Sequence, residues 1–202
     1  MDNPTRSERS RSAALQAALT IIARDGPGQL TFDAISRESG ISKGGLMHQF
    51  RTKGDVLKAL LALQVEQYEK FARDYQTGEG ATKSEASLAA EIATMREAMD
   101  NPHAAGFAIL AALVEDPALL SATRDRSGEK VKHIKAEAAD PDLSLLRWAA
   151  ARGLLFTALL GLCPLSEKER GRLFDRLLDE SQWTPSPDVK KKPRANRTAR
   201  SA

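Results

Sequence analysis

What most constrains this chain is its helix punctuation. Short polar residues that can cap a helix recur just ahead of alanine- and leucine-rich stretches, often with a proline or an acid at the position a helix start favours. Asn101-Pro102, Asp116-Pro117 and Asp140-Pro141 each put an Asx cap before a proline, whose missing N–H has no helical partner at that position anyway. Thr52 with Asp55, Thr82 with Glu85 and Ser166 with Glu169 have the spacing of reciprocal capping boxes. Alternating β-branched runs joined by Asn-Gly or Asp-Gly turns are missing. The expected fold is all-α, with about nine helices joined by short loops.

A first helix is expected over about 7–24. Leu15, Ala18, Leu19 and Ile22 follow one face, and Asp25-Gly26-Pro27-Gly28 stops it. Thr31 caps a second helix ending at Ser39-Gly40, and Ser42 caps a third. The fourth, from Thr52, carries Leu57, Leu60, Leu61, Tyr68, Phe71 and Tyr75 on its apolar face and stops before Gly78. Three regions follow: 1–52, with structure from about residue 7; 53–183; and a basic tail, 184–202, too polar to fold.

Charge is distributed unevenly. Lys and Arg outnumber Asp and Glu nine to six over 1–60, fall short fifteen to twenty over 61–183, and exceed them six to one over 184–202. Basic ends around an acidic body suit contact with a polyanion at the ends, although a basic tail can equally serve only to keep a chain in solution. A single cysteine, Cys163, excludes a disulfide framework and a cysteine-cluster metal site, and a buried inert thiol is expected there. His48, His103 and His133 are far apart, so no metal and no cofactor is expected. No phosphate loop, dinucleotide fingerprint or Gly-x-Ser-x-Gly elbow occurs, which argues against an enzyme. The longest apolar run, 153–163, is short of the roughly 18 residues a membrane span needs, and the polar start is unlike a signal peptide. A cytoplasmic, nucleoid-associated protein is expected.

The informative stretch is 31–53. Phe32, Ile35, Ile41, Leu46 and Phe50 can pack two short helices together across a tight turn at Ser39-Gly40-Ile41. The exposed face of the second then carries Ser42, Lys43, Gly44, Gly45, Met47 and His48. This is the pattern of a helix-turn-helix whose small residues let a backbone approach DNA. An ordinary helical hairpin is the alternative, but two adjacent glycines cost about 1 kcal/mol each in a helix interior, which a purely structural helix has little reason to accept.

In order and spacing, the Ala-Ala-Leu helix ending at Asp25-Gly26, the words Leu30-Thr-Phe-Asp-Ala-Ile-Ser-Arg-Glu-Ser-Gly-Ile-Ser-Lys-Gly-Gly-Leu, and Phe50 with Lys53 resemble the DNA-binding domain of the tetracycline-repressor (TetR) family. The resemblance spans about Arg11 to Leu61. It implies a homodimeric, nine-helix transcription regulator, usually a repressor that leaves a palindromic operator on double-stranded DNA when a small molecule binds. It places Thr31 beside a phosphate at a helix N-terminus, and Ser42, Lys43, Gly44 and Gly45 at the leading edge of the recognition helix. Lys43 is then poised for guanine O6 and N7, and Lys53 for a phosphate. The family commonly has Tyr where Met47 stands and His where Gln49 stands. Gln49 can still donate a hydrogen bond, Met47 can touch a thymine methyl, and His48 can substitute as a donor. The operator sequence therefore stays open.

The body is expected to dimerise and to hold an effector. Leu143 to Leu162 is apolar on more than one side, so Leu145, Ala149, Leu155, Phe156 and Leu159, with Leu173 and Leu177 of the last helix, are the interface candidates. Met95, Met99, Phe107, Leu110 and Trp148 are candidates to line a pocket for a small apolar effector, though such residues more often fill plain cores. A DNA-binding regulator without a ligand, and a helical interaction module that has lost DNA binding, remain the competing readings.

Overall fold

A computed structural model of the chain describes residues 6–100 and 116–183. Among them are eight α-helices and no strand: α1 (Arg6–Asp25), α2 (Phe32–Ser39), α3 (Lys43–Gln49), α4 (Lys53–Thr77), α5 (Ala86–Asp100), α6 (Ser121–Glu137), α7 (Pro141–Leu159) and α8 (Glu167–Leu178). The helix expected from Asn101-Pro102, the pocket candidates Phe107 and Leu110, His103 and the basic tail lie outside the described residues.

Most starts are made by the caps read in the sequence. The Thr31 hydroxyl accepts from the Ala34 N–H at 3.1 Å, Ser42 from Gly45 at 3.2 Å, and Asp140 from Leu143 at 3.2 Å. Thr52–Asp55 and Ser166–Glu169 close as capping boxes. Asp116 caps a short 3-10 turn, Pro117–Leu120, which runs directly into α6. Thr82–Glu85 is a correction: α5 begins at Ala86, and the Glu85 carboxylate turns away to Ser144 and Arg147 of α7. A distant buried guanidinium outcompetes a local cap.

Two apolar clusters organise the chain. The first gathers Leu15, Ala18, Ile21 and Ile22 of α1 with Ile35, Leu46, Phe50 and the α4 residues Val56, Leu57, Leu60 and Leu61. Leu120, at the end of the 3-10 turn, packs against this cluster from the other part of the chain. The second joins Leu88, Ile92, Met95 and Met99 of α5 to Ile134, Ala151, Phe174 and Leu177. Helix α5 is its centre, packing on α4, α6, α7 and α8.

Helix α7 departs from the expectation of a rod buried on every side. Its most buried residues are Ser144, Arg147 and Ala151, while Leu146 is 67% exposed. Arg147 is tolerated inside because Glu85 accepts from its Nη1 at 2.6 Å and the Leu177 carbonyl accepts from its Nη2 at 2.7 Å. The most buried line of α7 thus holds a satisfied arginine and serine beside Ala151; Trp148, Leu154 and Leu155 pack on the second cluster from its margins, and Leu146 is turned outward. Leu160, Leu162 and Leu173 are exposed as well.

Candidate nucleic-acid interface

The site begins with the turn between α2 and α3. Gly40 sits at φ 71°, a left-handed conformation that favours glycine, and its N–H donates to the Ser36 carbonyl at 3.0 Å. Two hydroxyls then lock the exit: Ser36 Oγ donates to the Ile41 carbonyl at 2.7 Å, and Ser39 Oγ accepts from the Ile41 N–H at 3.2 Å. Leu46 and Phe50, both buried, press the inner side of α3 into the first cluster. Ser42, Lys43, Gly44, Gly45, Met47 and His48 are all exposed, with Met47 at 53%. Thr31, exposed at the N-terminus of α2, and Lys53, half-buried in the first turn of α4, belong to neighbouring helix starts.

Three partnerships were not visible in the spacing of the residues. The Lys43 ammonium reaches across to Asp33 of α2, 2.9 Å from Oδ1. The Gln49 side-chain amide donates to the carbonyl of Ser7 on α1 at 3.0 Å and to its hydroxyl at 3.3 Å. Arg11 lies over the Phe50 ring at 4.6 Å. The last two contacts tie the end of α3 to the start of α1, so Gln49 helps orient the helix in the structure. The acid ten residues before Lys43 was the one available signal, since it falls on the adjoining helix.

The two glycines of α3 differ. A methyl group on Gly44 would meet nothing within 4 Å, whereas one on Gly45 would lie 3.2 Å from Ile41 Cγ2 and 3.3 Å from the Ser42 hydroxyl. Packing among the described residues therefore does not require a glycine at 44.

Of the pocket candidates, Met95 and Met99 are buried in the second cluster and Trp148 is packed against it. Met95 also borders a cavity of about 160 Å³ among α4, α5, α6 and α7, together with Leu155 and Phe156. Leu155 and Phe156 thus line this cavity, although they were expected at the dimer face. Leu177 is buried in the protomer's own core, 6% exposed, and Leu145 and Leu159 are half-buried. Ala149 and Leu173 are exposed. Cys163 is half-buried rather than buried, and a hydrogen bond from the backbone of Leu165 holds its thiol below the usual range. Among the described residues no cluster of His, Cys, Asp or Glu could hold a metal ion, and no helix is long and apolar enough to cross a membrane.

Comparison with known proteins agrees with this geometry. Residues 14–60 match the model of bacterial regulatory proteins of the tetR family, and residues 85–182 match that of the tetracyclin repressor-like C-terminal domain. No curated protein matches the chain. Among solved structures, a transcriptional regulator from Streptomyces coelicolor A3(2) superposes with a TM-score of 0.63 at 16% identity, covering 88% of this chain and 99% of the other. A TetR-family regulator from Rhodococcus sp. gives 0.59 at 22%, covering 84% and 97%. The multidrug binding protein EbrR, solved with ethidium, gives 0.57 at 21%, covering 83% and 97%. At these identities the structural likeness shows the fold, and the two matched models cover both the head and the body. The chain belongs to the TetR family of bacterial transcriptional regulators.

Proposed function

We propose that the chain is a homodimeric repressor that binds a palindromic operator through residues 1–52 and releases it when a small molecule enters the body, 53–183. The observation that carries this reading is the outer face of α3. It holds Ser42, Lys43, Gly44, Gly45, Met47 and His48 in the open, on a helix fixed from behind by Leu46, Phe50 and the Gln49–Ser7 contact. In the reading, Lys43 exchanges Asp33 for a guanine edge. That exchange is cheap, because an exposed ion pair is worth about 0–1 kcal/mol. Thr31 and Lys53 contact phosphates, the first at a helix N-terminus. Dimerisation supplies the second half-site, because one such helix reads few bases. The outward Leu146 of α7, Leu160 and Leu162 of the loop after it, and Leu173 of α8 support an isologous contact between two copies. EbrR supports the idea of a small effector, since that relative is described as binding drugs. Leu120 offers a route for release: it ends a turn continuous with α6, a wall of the cavity, and packs on the core beneath α3. A cytoplasmic, nucleoid-associated location follows from this role.

The test is selection of duplexes from a random library by the purified full chain, followed by fluorescence anisotropy. The expected product is a two-fold symmetric site. Lys53→Ala should weaken binding to all sequences alike, whereas Lys43→Ala should also blur the preference at one base pair per half-site. Failure to enrich any duplex at low salt, or equal and sequence-blind losses in both variants, would overturn the assignment.

A further inference from the structure

We propose that the cavity among α4, α5, α6 and α7 takes a small aryl carboxylate, with Arg152 as the partner of the acid group. This deepens the effector reading above and rests on it.

The cavity's size sets the scale: about 160 Å³, close to the roughly 150 Å³ engineered cavity that holds benzene. Its walls are largely apolar, and Met95, Leu155 and Phe156 provide a surface for one ring. Charge decides what else the ligand carries. Five charged side chains line the space: Glu69, Glu91, Arg126, Lys130 and Arg152. Lys130 and Glu91 neutralise each other at 2.5 Å. Arg152 has no ion pair among the described residues. Its guanidinium is half-buried, lies 4.6 Å over the Trp148 ring and 5.5 Å from that of Phe156, and donates one hydrogen bond, to the Ser127 hydroxyl at 3.3 Å. Burial pushes its pKa down, against the pull of Glu91. Arginine nevertheless stays charged, so the group sits part-desolvated with no carboxylate in contact among the described residues and only the more distant pull of Glu91. Among the described residues the buried indole N–H of Trp148, the ring beneath it, has no acceptor, and Trp148 itself stands behind the cavity wall rather than in it.

A planar carboxylate answers this arrangement, because it accepts two parallel hydrogen bonds from a guanidinium fork. A neutral ring would leave the charge unpaired, and with Lys130 and Glu91 paired an organic cation would meet Arg126 and Arg152 against the single carboxylate of Glu69. The cavity therefore opposes cations of the kind solved in EbrR, although the two folds agree.

Three molecules of one shape provide the test: phenylacetate, 2-phenylacetamide and 2-phenylethylammonium. Binding to the full chain is followed by fluorescence of Trp148 in a Trp183→Phe background and by calorimetry. Phenylacetate should bind at least about tenfold more tightly than the amide, and the cation more weakly still. Arg152→Met should bring the acid down to the level of the amide without changing the amide, and Arg152→Lys should recover only part of the loss. Equal affinity for acid and amide in the unaltered chain would overturn the proposal, whether or not the variants fold. Anisotropy on the selected operator separates the two readings. An acid that binds at Arg152 but never releases DNA would keep the site and sink its role as effector site. DNA released by the cation and not by the acid would sink the site and keep the repressor.

Discussion

Gly44→Ala should make the protein more stable and a poorer DNA binder, two effects of opposite sign from one methyl group. In a helix interior glycine costs about 1 kcal/mol relative to alanine. Gly44 is in the first turn of a seven-residue helix, so roughly half that gain is expected. The new methyl meets no atom within 4 Å, so no steric loss offsets it. For a chain of this size each kcal/mol moves the melting temperature by about 2–4 °C, so Tm should rise by about 1–2 °C. On DNA the same methyl must fit where a backbone lies against base edges, and overpacking of this kind costs about 1–3 kcal/mol, or roughly fivefold to 150-fold in Kd. Gly45→Ala is the internal control. Its methyl would press on Ile41 Cγ2 at 3.2 Å and on the capping hydroxyl of Ser42 at 3.3 Å, so the helical gain should be cancelled and Tm unchanged or lower. Scanning calorimetry and anisotropy on the selected operator measure both quantities. A Gly44→Ala protein that melts higher but holds the operator with unaltered Kd would refute the close approach, and with it the reason for a glycine at the tip of α3.

Arg147→Ala should cost about 3–5 kcal/mol in urea unfolding, because it strands the Glu85 carboxylate beside a vacated guanidinium site. The paired replacement Glu85→Gln with Arg147→Met should lose much less, and equal losses would show that the pair is not coupled. Leu146→Glu combined with Leu162→Glu should give a monomer by light scattering without unfolding, because both side chains are exposed within one protomer, at 67% and 70%. A dimer that persists would place the interface elsewhere. The capping carboxylates Asp55 and Glu169 are both held below their ordinary values of 3.8 and 4.5 by hydrogen bonds from Thr52 and Ser166. The unfolded chain therefore binds more protons as the pH drops. Their stabilisation is complete above those ordinary values and is lost as pH falls through the depressed ones. Asp55→Asn with Glu169→Gln should flatten the acid limb of a stability–pH curve below about pH 5, and an unchanged limb would contradict the caps.

How far the fold could be read from the residues depended on how local its causes were. Thr31, Ser42, Thr52, Asp140 and Ser166 act on N–H groups three residues away, so the same few residues that define the helix start also build it. The α2–α3 unit was legible for a related reason. Gly40, Leu46 and the exposed tip lie within one short segment whose apolar residues have a single common face. Where a partner came from far along the chain, the local rule failed. Glu85 has the spacing of a capping box with Thr82 but binds Ser144 and Arg147, 59 and 62 residues on. Gln49 is claimed by Ser7, 42 residues back.

Helix α7 shows why hydrophobic counting alone does not say which way each side chain of a helix faces. Leu145, Leu146, Leu154, Leu155, Phe156 and Leu159 make it read as apolar on more than one side, and nothing in that pattern marks Arg147 as an inward residue. Arg147 is 3% exposed because one helix, α7, meets both the start of α5 and the end of α8 there, and a guanidinium can satisfy Glu85 and the Leu177 carbonyl at once. With the most buried positions held by Ser144, Arg147 and Ala151, the larger apolar side chains take the margins, Trp148 and Leu154 against the second cluster. Leu155 and Phe156 go to the cavity that Arg152 shares, and Leu146 to the outer surface. The same reasoning moves Leu177 from the interface to the core, since it sits under the peptide that binds Arg147. The leucines left exposed in one protomer, Leu146, Leu160, Leu162 and Leu173, are the ones the proposed second copy would cover.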